Sequence, residues 1–240
     1  MRFRGPIDHW DPAFLEPMAA ERDVIVFDNR GINLSTGNSS ASVEDMVEGS
    51  LAFIDVLGLT DMDVLGWSMG GIVAQGVALA APDIVRHLVV ADSSAGGVPD
   101  LPPPSARTQQ TMAKPVNVTE DFLYLFFPET EQATTAGRAS LRRLEHRLTD
   151  SQAVAGPEAV RGQLSAISSF KGYWHRQEEL TLPVLAANGA HDVMIHAYGT
   201  YAMPQKLSDA KVILYSDAGH GFLFRHPDDF AHEVNRFLSA

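Results

Sequence analysis

The order of apolar and polar positions divides the chain into short apolar runs and longer stretches with helical periodicity. Five runs predict strands: residues 23–28 (Asp-Val-Ile-Val-Phe-Asp), 62–67, 87–92 (His-Leu-Val-Val-Ala-Asp), 183–188 and 211–215. The run at 23–28 is apolar throughout its centre, the pattern of a strand buried on both faces. Between the runs lie helical patterns. Asp11 caps a short one with Pro12 at its first position, and Pro17 is read as restarting it. Ser42 and Asp45 form a capping box for the next, whose apolar face carries Val43, Met46, Val47, Ser50, Ile54 and Leu57 before Gly58 ends it. Residues 69–81 make a helix almost without charge, stopped by Pro82. Further helices are predicted over 196–207 and 227–238, the last with Phe230, Val234, Phe237 and Leu238 on one face. From 95 to 180 no strand pattern occurs. A Pro/Gly loop at 96–104 leads into helical segments near 105–113, 119–127, 131–148 and 157–169.

Strands alternating with helices predict an α/β fold: a mostly parallel sheet flanked by helices on both faces. Residues 1–94 and 181–240 form the core on this reading, and residues 95–180 are a helical lid inserted after the strand at 87–92. Ligands of such sheets bind beyond the carboxyl ends of the strands. Ser68, Asp92, Asp192 and the loop after Tyr215 all fall at that edge.

Composition narrows the chemistry. The 240-residue chain is 45% apolar and 20% charged, which is globular. Its formal net charge of −12 argues against a nucleic-acid surface and gives no support for docking to anionic membranes. There is no cysteine, which excludes disulfides, thiol nucleophiles and thiolate-bound zinc. No apolar run is long enough to span a membrane and no leader is recognised, so a cytoplasmic location is expected. The expected partner is a small-molecule substrate, with oligomeric state open.

The sequence centres on Met62–Gly71. An apolar run leads into Gly66-Trp67-Ser68-Met69-Gly70, and a helix follows at once. Alone, a G-x-S-x-G pattern is a weak signal. Between a strand and a helix it describes a sharp turn that holds Ser68 in a strained conformation with its hydroxyl exposed, and the N–H of Met69 aimed at the same space. A serine hydroxyl is a poor nucleophile until a base takes its proton and a third group orients that base. Asp192 follows one predicted strand and His220, between two glycines, follows the next. Asp92, after the preceding strand, is the alternative acid. His191 beside Asp192 finds no further ligands at a useful spacing for a metal. His9, His87, His146, His175, His196, His226 and His232 read as surface or structural, and Arg30 as a partner of Asp28 or of its loop. Within Phe122–Phe127, some side chains are expected in an acyl pocket and others in packing, and Trp174 and Phe222 divide the same way.

In the order Ser68, Asp192, His220 the chain resembles the α/β-hydrolase superfamily, in its lidded esterase, carbon–carbon hydrolase and perhydrolase branch. Asp28-Asn29-Arg30-Gly31-x-Asn33-x-Ser35 resembles that family's D-x-R-G-x-G-x-S loop, with Asn33 where a glycine is usual. Gly66–Gly71 resembles its nucleophile elbow, Asn188-Gly189-x-x-Asp192 its acid loop, and Ala218-Gly219-His220 its base loop. Ser68 resembles the esterases rather than the members with Asp at the elbow. The resemblance implies a serine hydrolase cleaving a mainly apolar ester, lactone or thioester through an acyl-enzyme, with no cofactor. Carbon–carbon hydrolysis and perhydrolysis use the same triad, and a low-turnover binding protein of the same fold is the rival from another class. By the same resemblance the N–H groups of Met69 and Phe3 form the oxyanion hole. Met1-Arg2-Phe3 stands where the family has a His-Gly-x motif, so the chain is expected to lack the family's first three strands. The third belongs between the strands matching 23–28 and 62–67, and a start upstream of Met1 is the expected explanation.

Overall fold

A computed structural model describes residues 3–150 and 155–240. Met1 and Arg2, which stand where the family's His-Gly-x motif is expected, and residues 151–154 within the insertion lie outside the described residues. Four strands, β1 (Met62–Trp67), β2 (Val85–Ala91), β3 (Val184–Gly189) and β4 (Ala210–Tyr215), form one sheet in the order β1-β2-β3-β4. All three pairings are parallel. Consecutive side chains of β2 enter opposite cores. Leu88 and Val90 join the cluster under α2 (Val43–Val56) and α3 (Met69–Ala80), while Val89 and Ala91 join the one under α1 (Pro12–Ala19). That two-sided burial is why the strand is apolar at successive positions.

Four helices, α4 (Ala106–Met112), α5 (Thr119–Phe126), α6 (Glu131–Asp150) and α7 (Pro157–Ser169), follow β2 in the chain. A short helix α8 (Ala197–Ala202) links β3 to β4, and α9 (Phe222–Arg225) and α10 (Pro227–Leu238) close the fold. Phe230, Val234 and Leu238 of α10 are buried against the core that holds Phe14 of α1.

Several sequence expectations need correction. The segment 23–28 is extended but belongs to no ladder, and Ile25 and Val26 are 52% and 39% exposed. An apolar run becomes a buried strand only beside a partner, and among the described residues β1 pairs with β2 alone. A cavity of about 510 Å³, lined by Val24, Phe27, Val64 and Leu65, lies between the segment and β1. Pro17 sits inside α1 rather than restarting it, which costs the helix one backbone hydrogen bond. Leu57 is the C-terminal cap residue of α2 and is 48% exposed. The helix predicted over 196–207 stops at Ala202 and tightens into a 3₁₀ turn over Met203–Gln205, where Pro204 removes a donor. Arg30 does not pair with Asp28; it reaches the carbonyl of Asp45 at 3.3 Å. Asn33 instead donates to Asp28 Oδ2 at 2.8 Å, and its φ of 54° is a left-handed conformation that asparagine tolerates and glycine adopts freely.

Candidate active site

Ser68 lies between the last residue of β1 and the first of α3, with φ 58° and ψ −127°. The turn is this tight because Gly66 has no side chain. A Cβ there would stand 2.1 Å from the Gly70 carbonyl oxygen and 2.7 Å from Ala74 Cβ. The strain turns the Ser68 hydroxyl away from the sheet. Met69 is the first residue of α3, so its N–H has no acceptor within the helix and sits at the positive end of the dipole.

The loops after β3 and β4 bring the other two groups to the same place. His220 Nε2 lies 2.8 Å from Ser68 Oγ, and His220 Nδ1 lies 2.7 Å from Asp192 Oδ2. A carboxylate at Nδ1 sets the proton on that nitrogen, leaving Nε2 to accept from the serine hydroxyl. Asp192 Oδ1 accepts the N–H groups of Met194 (2.7 Å) and Ile195 (2.9 Å), which fixes the carboxylate. His191 N–H donates to the Ala218 carbonyl at 2.9 Å and so ties the two loops together. The His191 side chain itself is exposed. Ser68, Asp192 and His220 are 7%, 2% and 1% exposed, so the hydrogen-bonded chain is almost wholly buried.

Asp92 is a neighbour of this chain but not a member. It is fully buried, with φ 43°, and accepts from Trp67 Nε1 (3.1 Å) and Gly189 N–H (3.3 Å). Burial, and then the charge of Asp192, hold its carboxyl well above the usual range. Trp67 Nε1 also reaches the His220 carbonyl at 3.2 Å, so one indole bridges Asp92 and the histidine loop.

A cavity of about 790 Å³ opens over Ser68, Met69 and His220. The segment between β2 and β3, its loops together with helices α4 to α7, contributes most of its wall. The aromatic run of α5 divides as the sequence suggests. Phe122, Leu125 and Phe126 line the cavity, whereas Leu123 and Phe127 pack on Gly137 of α6. Tyr124 hydrogen-bonds Thr108 at 2.9 Å and lies under the Arg107 guanidinium, 3.6 Å away. Phe126 also holds the histidine loop, since its carbonyl accepts the Gly221 N–H at 2.8 Å. Phe222 is core, and Trp174 packs against the other cluster. Phe3 lines the same cavity as Met69. Arg4, His9, Met194 and His196 line it too, although the sequence reads His9 and His196 as surface or structural and assigns Arg4 and Met194 no role. Position offers a signal for Met194 and His196, which follow Asp192 by two and four residues in the loop beyond β3.

The alpha/beta hydrolase fold family matches residues 5–227, and the chain belongs to it. A solved alpha/beta hydrolase fold protein from Chitinophaga pinensis is 33% identical, with a TM-score of 0.87 over 100% of this chain and 87% of that one. A pimeloyl-[acyl-carrier protein] methyl ester esterase of Aliivibrio salmonicida is 23% identical over 95% of this chain and 86% of its own length. A protein of Azorhizobium caulinodans named as a carbamate hydrolase, RutD, is 25% identical over 94% of this chain and 84% of its own. The protein is an enzyme of the hydrolase class. No described helix is long and apolar enough to cross a membrane.

Proposed function

We propose that the protein is a serine hydrolase that cleaves a mainly apolar carboxylic ester, lactone or thioester in the cytoplasm. The observation that carries this reading is the unbroken chain Ser68 Oγ, His220, Asp192, with separations of 2.8 and 2.7 Å. Ser68 Oγ forms a bond to the substrate carbonyl carbon as its proton passes to His220 Nε2. The carbonyl oxygen, now an anion, takes the N–H groups of Met69 and Phe3. Collapse of the tetrahedral species breaks the bond to the leaving group, which departs with the proton from His220. Water repeats the sequence on the acyl-enzyme, giving up one proton to His220 and releasing the free acid. Asp192 keeps the imidazole in the required tautomer and stabilises the imidazolium. Helices α4 to α7 serve as the lid that keeps water from the acyl-enzyme.

The apolar wall of the cavity supports an apolar acyl group, and two similar proteins are named for cleaving an ester and a carbamate. A fluorophosphonate probe and a series of p-nitrophenyl esters of rising chain length test the reading. Labelling at Ser68 and ester turnover are expected. A chain that is neither labelled nor active on any ester would refute it.

A further inference from the structure

The cavity over Ser68 has an electrostatic asymmetry that an apolar ester leaves unused. The chain carries a net charge of −12, yet among the described residues no Asp or Glu lines the cavity, and Arg4 is its one Lys or Arg. The guanidinium is held on two sides. Nη1 donates to the carbonyls of Lys114 (2.6 Å) and Pro115 (3.4 Å), and Cζ lies 5.1 Å from the centre of the Phe3 ring. The remaining edge, Nε and Nη2, has no acceptor among the described residues, and Nε is shut off from water.

Elsewhere in this chain that edge is given to a carboxylate. Arg143 sets Nε and Nη2 on Asp11 at 2.8 and 2.6 Å, and Arg225 sets the same pair on Asp217 at 3.1 and 2.8 Å. A second orphan donor belongs to Gln163, which is 1% exposed. Its Oε1 accepts the Arg4 backbone N–H at 2.8 Å, which leaves Nε2 without a partner. Reversing the amide would only set two N–H groups against each other. A buried donor without an acceptor is costly, and Arg4 Nε is one, although the Nη1 end of the same guanidinium is exposed. An anionic oxygen ligand on the Nε–Nη2 edge of Arg4 relieves that cost, whereas Gln163 does not line the cavity.

We propose that the substrate is an ester whose acyl part also carries a free carboxylate, docked on the Nε–Nη2 edge of Arg4 while its ester carbonyl meets Ser68. This deepens the serine hydrolase reading and rests on it for the second contact. A half-ester of a linear diacid has the required parts: an apolar stem for the cavity wall, an acid at one end and a cleavable bond at the other. The fork geometry suits a carboxylate better than a neutral oxygen.

The test compares monomethyl with dimethyl esters of linear C6 to C10 diacids. In the unaltered enzyme kcat/KM favours the half-ester at the best chain length. Arg4→Met lowers the half-ester to diester ratio about 10- to 100-fold, and Arg4→Lys restores part of it. A purely structural role for Arg4 would lower both rates together, and an unchanged ratio overturns the proposal. Calorimetry on Ser68→Ala separates the two readings, because it needs no turnover. The monomethyl ester binds Ser68→Ala about 10-fold or more tighter than it binds Ser68→Ala/Arg4→Met. Equal affinity overturns the carboxylate site, whereas Arg4-dependent binding with no turnover of any ester overturns the hydrolase reading alone.

Discussion

Asp92 and Asp192 are buried side by side at the ends of β2 and β3, with side-chain oxygens within 4.8 Å of one another, yet only Asp192 is hydrogen-bonded to His220. The difference lies in the donors each finds. Asp192 takes two short backbone N–H bonds besides the imidazole, whereas Asp92 has the Trp67 indole and one long bond from Gly189. Asp192→Asn should lower kcat by about 10⁴-fold, since the amide favours the wrong histidine tautomer. Asp92→Asn should stay within about 10-fold, because an asparagine oxygen still accepts from Trp67. Steady-state kinetics of the two variants decide it, and the reverse ranking would move the acid to Asp92.

The same pair predicts a pH dependence of stability. Asp92 holds its proton above the usual carboxylate range because burial, then the charge of Asp192, penalise ionisation. The folded state therefore binds more protons than the unfolded chain once pH rises above the ordinary value of 3.8. Stability falls with pH through that window, up to the raised value in the folded protein. Asp92→Asn removes this contribution. Its Tm should match that of the unaltered protein near pH 4 and exceed it increasingly toward pH 8. A difference in Tm that does not change with pH would show that Asp92 ionises normally.

Much of this fold was legible because the relevant signals are local. The capping box at Ser42 and Asp45 forms as its spacing requires, and the elbow at Ser68 has the positive φ that a strand–turn–helix junction demands. Residues 23–28 mislead because burial is a property of neighbours, and no local pattern reveals whether a partner strand lies alongside. Arg4 is given no role by the sequence, and His9 and His196 read as surface or structural, for a related reason. A single polar residue carries no periodicity, and only the fold shows that all three face the cavity. Asp92 could be seen as a rival acid, but the rise of its carboxyl above the usual range comes from burial and then from the proximity of Asp192, and both need the three-dimensional fold.

The elbow itself makes a further prediction. Gly66→Ala sets a methyl group 2.1 Å from the Gly70 carbonyl oxygen, which belongs to the first turn of α3 rather than to a movable side chain. The helix must retreat from β1 and carry Met69 and Ser68 with it. Folding should be weakened, and in whatever protein folds kcat should fall by at least 10²-fold, as one misplaced ångström at a reacting centre costs. Circular dichroism with single-turnover kinetics separates the two losses.

Phe122 and Phe126 stack at 4.5 Å on the cavity wall, and only Phe126 also contacts His220, at 5.4 Å between rings. Phe122→Ala should therefore change the preferred acyl chain length with little effect on the pH profile. Phe126→Ala should reduce kcat for every ester and destabilise the fold by about 3 kcal/mol or more. A chain-length screen with p-nitrophenyl esters distinguishes these outcomes, and a screen indifferent to both changes would remove the α5 aromatics from the acyl pocket.

The last prediction concerns how α6 is fastened over the core. Asp11 is fully buried and receives four hydrogen bonds: Ala13 N–H at 3.0 Å, Ser140 Oγ at 2.6 Å, and Arg143 Nε and Nη2 at 2.8 and 2.6 Å. One carboxylate thus caps α1 and grips α6. Arg143→Met leaves that carboxylate buried beside a thioether. Removing one partner of a buried ion pair costs about 3 kcal/mol, the lower end of the range being apt because the Arg143 side chain is 34% exposed. In a chain of this size that is a fall in Tm of about 6–12 °C. Asp11→Asn keeps an oxygen for the Ala13 cap but removes the charge, so it should cost Arg143 its partner and leave α1 intact. If the pair acts as a unit, the double variant is less destabilised than the sum of the single ones. Amide exchange reports where the loss falls. Faster exchange confined to α6 is expected for Arg143→Met, whereas uniform acceleration across the sheet would mean that Asp11 and Arg143 serve the whole core rather than the helices above Ser68.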